Sequence, residues 1–151
     1  TCERPGGETT GKKIATQDAV DEWITFMTTP ERNIKHVLIL LSEEELEDYD
    51  EPGLCQAYEK GGIKVHHIPY ERKDSFRKIL AVLDDIHKSG ENVVAHCTHG
   101  MGRSGRVAAG WLVFKYGLSV EQAVEETLDT ARKYGVERMG SPLQLSAWMK
   151  S

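Results

Sequence analysis

The chain of 151 residues has no apolar run near the ~18 residues that a membrane-spanning helix needs, which argues against an integral helical membrane protein. Cysteine is scarce. Cys2, Cys55 and Cys97 are an odd number without the dense spacing of a disulfide framework, so a reducing, cytoplasmic setting is expected and Cys55 reads as buried filler. Positive charge is also short: the formal net charge is −5, so nucleic acid held by bulk charge is not an expected partner. Internal repeats, linkers and low-complexity stretches are missing, and the polar, glycine-rich start from Thr1 to Lys13 does not read as a signal peptide. What remains is one domain over residues 1–151, large enough to bury its own core and expected as a monomer.

The periodicities alternate between the two regular structures. "QDAVDEWITFM", Gln17 to Met27, places Val20, Trp23, Ile24 and Met27 at helical spacing. "KHVLILLS" from Lys35 to Ser42 is a near-continuous apolar run of strand length, and "IKVHHIP" from Ile63 to Pro69 is a second strand candidate. Phe76, Ile79, Leu80, Leu83 and Ile86 then mark a helix closed by Gly90, and "NVVAHC" is a third strand. Helices are expected from about Ser104 to Tyr116, from Ser119 to Lys133 behind an S-x-x-Q capping box, and from Pro142 to Met149 behind Ser141. Strands alternating with helices predict an α/β fold, a mostly parallel central sheet flanked by helices on both faces.

Two charged or glycine-rich stretches invite functional readings that their context does not support. "GGETTGKK", Gly6 to Lys13, falls one residue short of a nucleotide-binding loop, because Lys13 stands where Ser or Thr must bind magnesium; "TCERP" before it offers no strand, and a mobile polar loop is expected. The acidic run "SEEELEDYDE", Ser42 to Glu51, reads as a solvated face.

"VVAHCTHGMGRSGRVAAG", residues 93 to 110, is different. A strand delivers Cys97 to its C-terminal end, where open α/β sheets bind ligands. Gly100 and Gly102 allow the chain to curl so that backbone N–H groups and the N-terminus of the next helix form an anion site. Arg103 can return a bidentate guanidinium to the same anion. A thiol beneath a helix N-terminus and beside an arginine is favoured as thiolate, so a nucleophile and an oxyanion site coincide. A metal site from His96, Cys97 and His99 fits no common zinc spacing.

His96 to Gly105, "HCTHGMGRSG", resembles the H-C-x5-R-[S/T]-G signature of cysteine-dependent protein tyrosine and dual-specificity phosphatases, and the short chain resembles the compact dual-specificity branch. The resemblance implies Cys97 as nucleophile, Arg103 as phosphate and transition-state clamp, and Ser104 as the hydroxyl that helps the sulfur leave. It implies that His96 orients the loop, and that Thr98, His99, Gly100, Met101 and Gly102 bind phosphate through backbone amides with their side chains outward. No metal or cofactor is implied. The family's general acid is an aspartate on an upstream loop; here that loop is "HIPYERKDSF", where Glu71 and Asp74 are both candidates, Asp74 being also placed to cap the helix that follows. Gln144 stands where some relatives position the hydrolytic water. Arg72 is expected on a basic rim.

The implied activity is hydrolysis of phosphate monoesters, phosphotyrosine and also phosphoserine or phosphothreonine, with a phosphorylated protein as substrate. An RNA 5′-triphosphatase is an alternative, although Gly102-Arg103-Ser104-Gly105 departs from that group's Asn-Arg-Thr-Gly. A phosphoinositide phosphatase is another, although Thr98, His99 and Met101 include no lysine. Of another class is a pseudophosphatase that binds phosphorylated partners without turnover.

Overall fold

The structure is a computed structural model that describes residues 1–6 and 15–151. In chain order the elements are β1 (Cys2–Glu3), α1 (Gln17–Met27), β2 (Ile34–Ile39), α2 (Glu43–Leu46), α3 (Leu54–Lys60), β3 (Lys64–His67), α4 (Ser75–Ser89), β4 (Asn92–Cys97), α5 (Arg103–Tyr116), α6 (Val120–Lys133) and α7 (Pro142–Met149). The four strands form one all-parallel sheet in the order β1-β4-β2-β3. The predicted α/β architecture is therefore present.

Alternation along the strands divides the core. Leu38, Leu40, Ala95 and Cys97 face one side, where they pack with Ile79, Leu80 and Leu83 of α4, Val107 and Ala109 of α5, Ala123 and Val124 of α6, and Leu145 and Trp148 of α7. Val37, Ile39, Leu41 and Val94 face the other, against Val20, Ile24 and Met27 of α1 and Leu54, Ala57 and Tyr58 of α3. Both faces of β2 and β4 are thus covered, which is why these strands read as continuous apolar runs.

Several helix ends follow their sequence signals. α6 begins at a reciprocal capping box in which Ser119 Oγ accepts from the Gln122 amide and the Gln122 side chain accepts from the Ser119 amide. α7 begins with Pro142 behind Ser141, as expected. Other parts differ from the sequence reading. "TCERP" does hold a strand, since β1 pairs with the end of β4 in the register Cys2 to His96 and Glu3 to Cys97. Two residues are too few to show a period, so backbone pairing alone defines that strand. The glycine-rich stretch read as a polar loop lies, apart from Gly6, outside the described residues.

Replacing Ser119 with Ala removes half of the α6 capping box and is expected to destabilise the fold by about 1 kcal/mol. Urea unfolding checks this; an unchanged midpoint would mean that the cap contributes nothing.

Candidate active site

β4 carries His96 and Cys97 to the C-terminal edge of the sheet, and strand alternation sends them to opposite faces. His96 is fully buried on the α1/α3 side, with Nε2 3.0 Å from the Tyr58 hydroxyl and its ring edge-on to Trp23 at 5.8 Å. Burial, reinforced by the cations Arg4 and Arg103, holds its pKa down at about 3, so the ring is neutral at physiological pH. It acts as a packed anchor beneath the loop. Cys97 is nearly buried on the other face, and its Sγ lies 3.5 Å from Ser104 Oγ.

Between them the chain curls as the glycines require. Gly100 takes a left-handed φ of 70°, and a Cβ there would sit 2.4 Å from the Glu3 nitrogen and 2.5 Å from the Cys2 carbonyl carbon. β1 thus presses directly on the loop. The amides of Gly100, Met101 and Gly102 donate to no protein acceptor among the described residues, and α5 begins at Arg103 without a side-chain cap. Free amides at a helix start form an anion cradle. From behind, Arg138 donates to the Gly100 and Thr1 carbonyls, and the Met139 amide donates to the Met101 carbonyl at 3.3 Å. Arg138 is a brace the sequence reading did not single out.

Arg103 is held from the side. Its Nη1 and Nη2 each lie 2.7 Å from a different oxygen of Glu45, Nη2 also donates to Thr98 Oγ1 at 2.6 Å, and Nη1 reaches the Leu40 carbonyl at 3.4 Å. Thr98 Oγ1 in turn bonds Glu45. The Thr98 side chain therefore does not point outward as expected; it closes the arginine–carboxylate pair. Arginine and threonine hydrogen bonds outweigh the cost of burial and draw the Glu45 pKa down to about 2.

This revises the acidic run. Glu45 binds Arg103, Asp48 binds the buried Arg4 at 2.8 Å, Glu43 binds Arg72 at 2.9 Å, and the buried Tyr49 donates to the Pro5 carbonyl at 3.0 Å. The segment is in part a built wall of the site, through Glu45, Asp48 and Tyr49, while Glu43, Glu44, Glu47, Asp50 and Glu51 remain exposed as a solvated face would be. A signal was there: Ser42-x-x-Glu45 is itself a capping box, with Ser42 Oγ accepting from the Glu45 amide and Glu45 Oε2 accepting from the Ser42 amide. Its box carboxylate does double duty.

The upstream loop is fixed to both the sheet and α7. The Tyr70 amide donates to the Leu40 carbonyl at 3.2 Å, Ser75 Oγ donates to the Tyr70 carbonyl at 2.6 Å, and Trp148 Nε1 donates to Ser75 Oγ at 2.8 Å while its ring stacks on Tyr70 at 4.8 Å. Glu71 is thereby held at the surface, where it lines a cleft shared with Gln144, and Arg103 is held protonated chiefly by its hydrogen bonds to Glu45, with Glu71 a smaller contributor. Asp74 stands at the N-cap of α4, but not as predicted. It has a left-handed φ of 62° and makes no side-chain cap hydrogen bond, because that conformation turns the carboxylate away from the first amides of the helix.

Fold and loop together define an α/β domain that presents a cysteine beneath an anion cradle at the carboxyl edge of a parallel sheet. Residues 22–151 match the family model "Dual specificity phosphatase, catalytic domain", and the chain belongs to that family. It is 30% identical over 102 residues to "Cyclin-dependent kinase inhibitor 3" of Rattus norvegicus, covering 64% of this chain and 48% of that protein. It is 29% identical over 90 residues to "Tyrosine-protein phosphatase MSG5" of Saccharomyces cerevisiae, covering 57% and 18%. The chain thus matches about half the length of the first of these relatives and less of the second. Among solved structures, kinase associated phosphatase with a serine in place of its catalytic-site cysteine aligns with a TM-score of 0.72 at 24% identity, over 98% of this chain and 81% of that one. Tk-PTP in its active form aligns at 0.64 and 25% identity, over 97% of each.

Glu45→Gln is expected to lower stability at pH 7 by about 1–3 kcal/mol. The folded carboxyl titrates below the unfolded one, so its stabilisation is present above the unfolded pKa and is lost as pH falls toward about 2. Unfolding of both forms at pH 7 and pH 3 should show the gap narrowing in acid; an equal gap at both would contradict the ion pair.

Proposed function

We propose that the chain hydrolyses phosphate monoesters on proteins, phosphotyrosine and also phosphoserine or phosphothreonine, through a cysteinyl-phosphate intermediate. The observation that carries this reading is the Cys97 sulfur, 3.5 Å from Ser104 Oγ, at the base of a loop whose Gly100, Met101 and Gly102 amides are free to bind an anion. The family match supports it. The phosphoryl oxygens sit on the amides of Thr98 to Gly102, and the Arg103 guanidinium, pre-oriented by Glu45 and Thr98, neutralises the charge that builds on them. Residues 1–151 work as a single catalytic domain.

In the first step the Cys97 thiolate attacks phosphorus, the bond from phosphorus to the ester oxygen breaks, and that oxygen takes a proton from Glu71. In the second step water attacks the cysteinyl phosphate, Glu71 accepts its proton, and the S–P bond breaks as the Ser104 hydroxyl donates to the departing thiolate. Glu71 is preferred to Asp74 because it lines the cleft with Gln144 and acts electrostatically on Arg103. Gln144, exposed at the start of α7, lines the same cleft, and in this reading it orients the water.

A cytoplasmic location belongs to this reading. Its supports are the free cysteines Cys2, Cys55 and Cys97, and the fact that among the described residues no helix is long and apolar enough to cross a membrane.

Phosphate release from an aryl phosphate in chelator is expected to fall on the order of 10³-fold or more in Cys97→Ser. Retention of the parent rate by that variant would defeat the thiolate mechanism. Glu71→Gln should slow an alkyl phosphate by about 10²-fold while barely affecting an activated aryl phosphate. If Asp74→Asn shows that pattern instead, the acid is reassigned to Asp74.

A further inference from the structure

The segment between α6 and α7 grips the back of the phosphate loop by its backbone. Arg138 Nη1 donates to the Gly100 carbonyl, while Nη2 donates to the Thr1 carbonyl at 2.5 Å and to Thr1 Oγ1 at 3.0 Å. One residue on, the Met139 amide donates to the Met101 carbonyl at 3.3 Å. The segment is itself fixed. The Val136 amide donates to the Ala131 carbonyl at 2.9 Å, and a Cβ on Gly140 would fall 2.7 Å from Val124 Cγ1 of α6. The stem of Arg138 lies along the start of α5, its Cδ 3.5 Å from where a Cβ on Gly105 would be.

A trans peptide is planar, with its C=O and N–H pointing in opposite directions. Glu51–Pro52 is the one cis bond among the described residues, so every peptide of the loop obeys this. A Gly100 carbonyl drawn back by Arg138 therefore turns the Met101 N–H forward, toward the anion. A Met101 carbonyl drawn back by Met139 does the same for the Gly102 N–H. Without these ties both peptides would flip at little cost, because a glycine takes up half of each rotation, in ψ at Gly100 and in φ at Gly102. A flipped peptide would aim a carbonyl oxygen at the anion and replace attraction with repulsion.

We propose that Arg138 is a positioning residue that sets the polarity of the Gly100–Met101 peptide and so makes the Met101 amide an anion donor. The proposal rests on the reading of this loop as the phosphate site and names what keeps it in its binding state. Arg138 acts through the Gly100 carbonyl and needs no contact with the anion. Because the same guanidinium holds the Thr1 carbonyl, it also ties the loop to the edge strand β1, whose pairing with β4 is two residues long.

The test follows backbone amide signals in NMR spectra of labelled protein as inorganic phosphate is added. In the parent the Met101 and Gly102 amides are both expected to shift. In Arg138→Gln the Met101 response should be lost while the Gly102 response, set by Met139, persists, and the phosphate dissociation constant should rise about tenfold. Arg138→Lys, with one donor group instead of a fork, should weaken phosphate about threefold, with a reduced Met101 response and an unchanged Gly102 response. This milder change decides the matter if Arg138→Gln does not fold.

A Met101 amide that ignores phosphate in the parent overturns the proposal. So does a folded variant in which both responses stay as in the parent, whatever its urea midpoint, or in which both are lost together. Hydrolysis of an aryl phosphate separates the two claims. If the parent binds phosphate in the Arg138-dependent way but hydrolyses no phosphoester, the positioning role stands and the phosphatase reading fails. If the parent hydrolyses the ester and both variants keep its kcat/KM and its phosphate affinity, the phosphatase reading stands and the positioning role fails.

Discussion

The bidentate contact of Arg103 with Glu45 fixes where the guanidinium stands relative to the Cys97 loop, and much of the surrounding structure serves to hold it there. The carboxylate takes both terminal nitrogens at 2.7 Å, so the side chain is oriented before any phosphate arrives. That pre-orientation lowers the cost of reorganisation when charge develops. Thr98 ties the pair to the loop itself. Glu45 is available only because the Ser42 capping box fixes α2, and α2 is placed by Arg4 and Tyr49 against the N-terminal segment.

The same logic runs through the sheet. The carbonyl of Leu40, just past the end of β2, accepts from Tyr70 and from Arg103, so one atom sets the Tyr70–Asp74 loop and the Arg103 side chain relative to each other. The amide of Leu40 meanwhile donates to the carbonyl of His96, immediately before Cys97. Trp148 adds the remaining tie, carrying the position of α7 through Ser75 to Tyr70. The side chains gathered at the site thus come from loops and element ends, and their spacing from two buried strands.

Much of this was legible because strong local signals coincide with burial. The apolar run before Ile39, the amphipathic spacing in α1 and α4, and the Pro142 start of α7 all gave elements close to those observed. Cys97 and Arg103 stood out by their spacing around the glycines, and Ser104 by resemblance to the family signature. The rest depends on contacts between residues far apart in the chain. Glu45 lies 58 residues from Arg103, and an acidic run looks the same whether it is solvated or folded against an arginine. β1 is two residues long, too short for any period. Asp74 had the right position for a cap, but its backbone is left-handed and its side chain makes no cap hydrogen bond, which a residue type suited to capping does not reveal.

The most direct measurement is to quench turnover of a labelled aryl phosphate within milliseconds and locate the label by peptide mass spectrometry. The account predicts phosphate on Cys97, approaching one per chain in an early burst and lost on further incubation in water. Steady hydrolysis with no phosphorylated Cys97 at any time, or label on another residue, would contradict it.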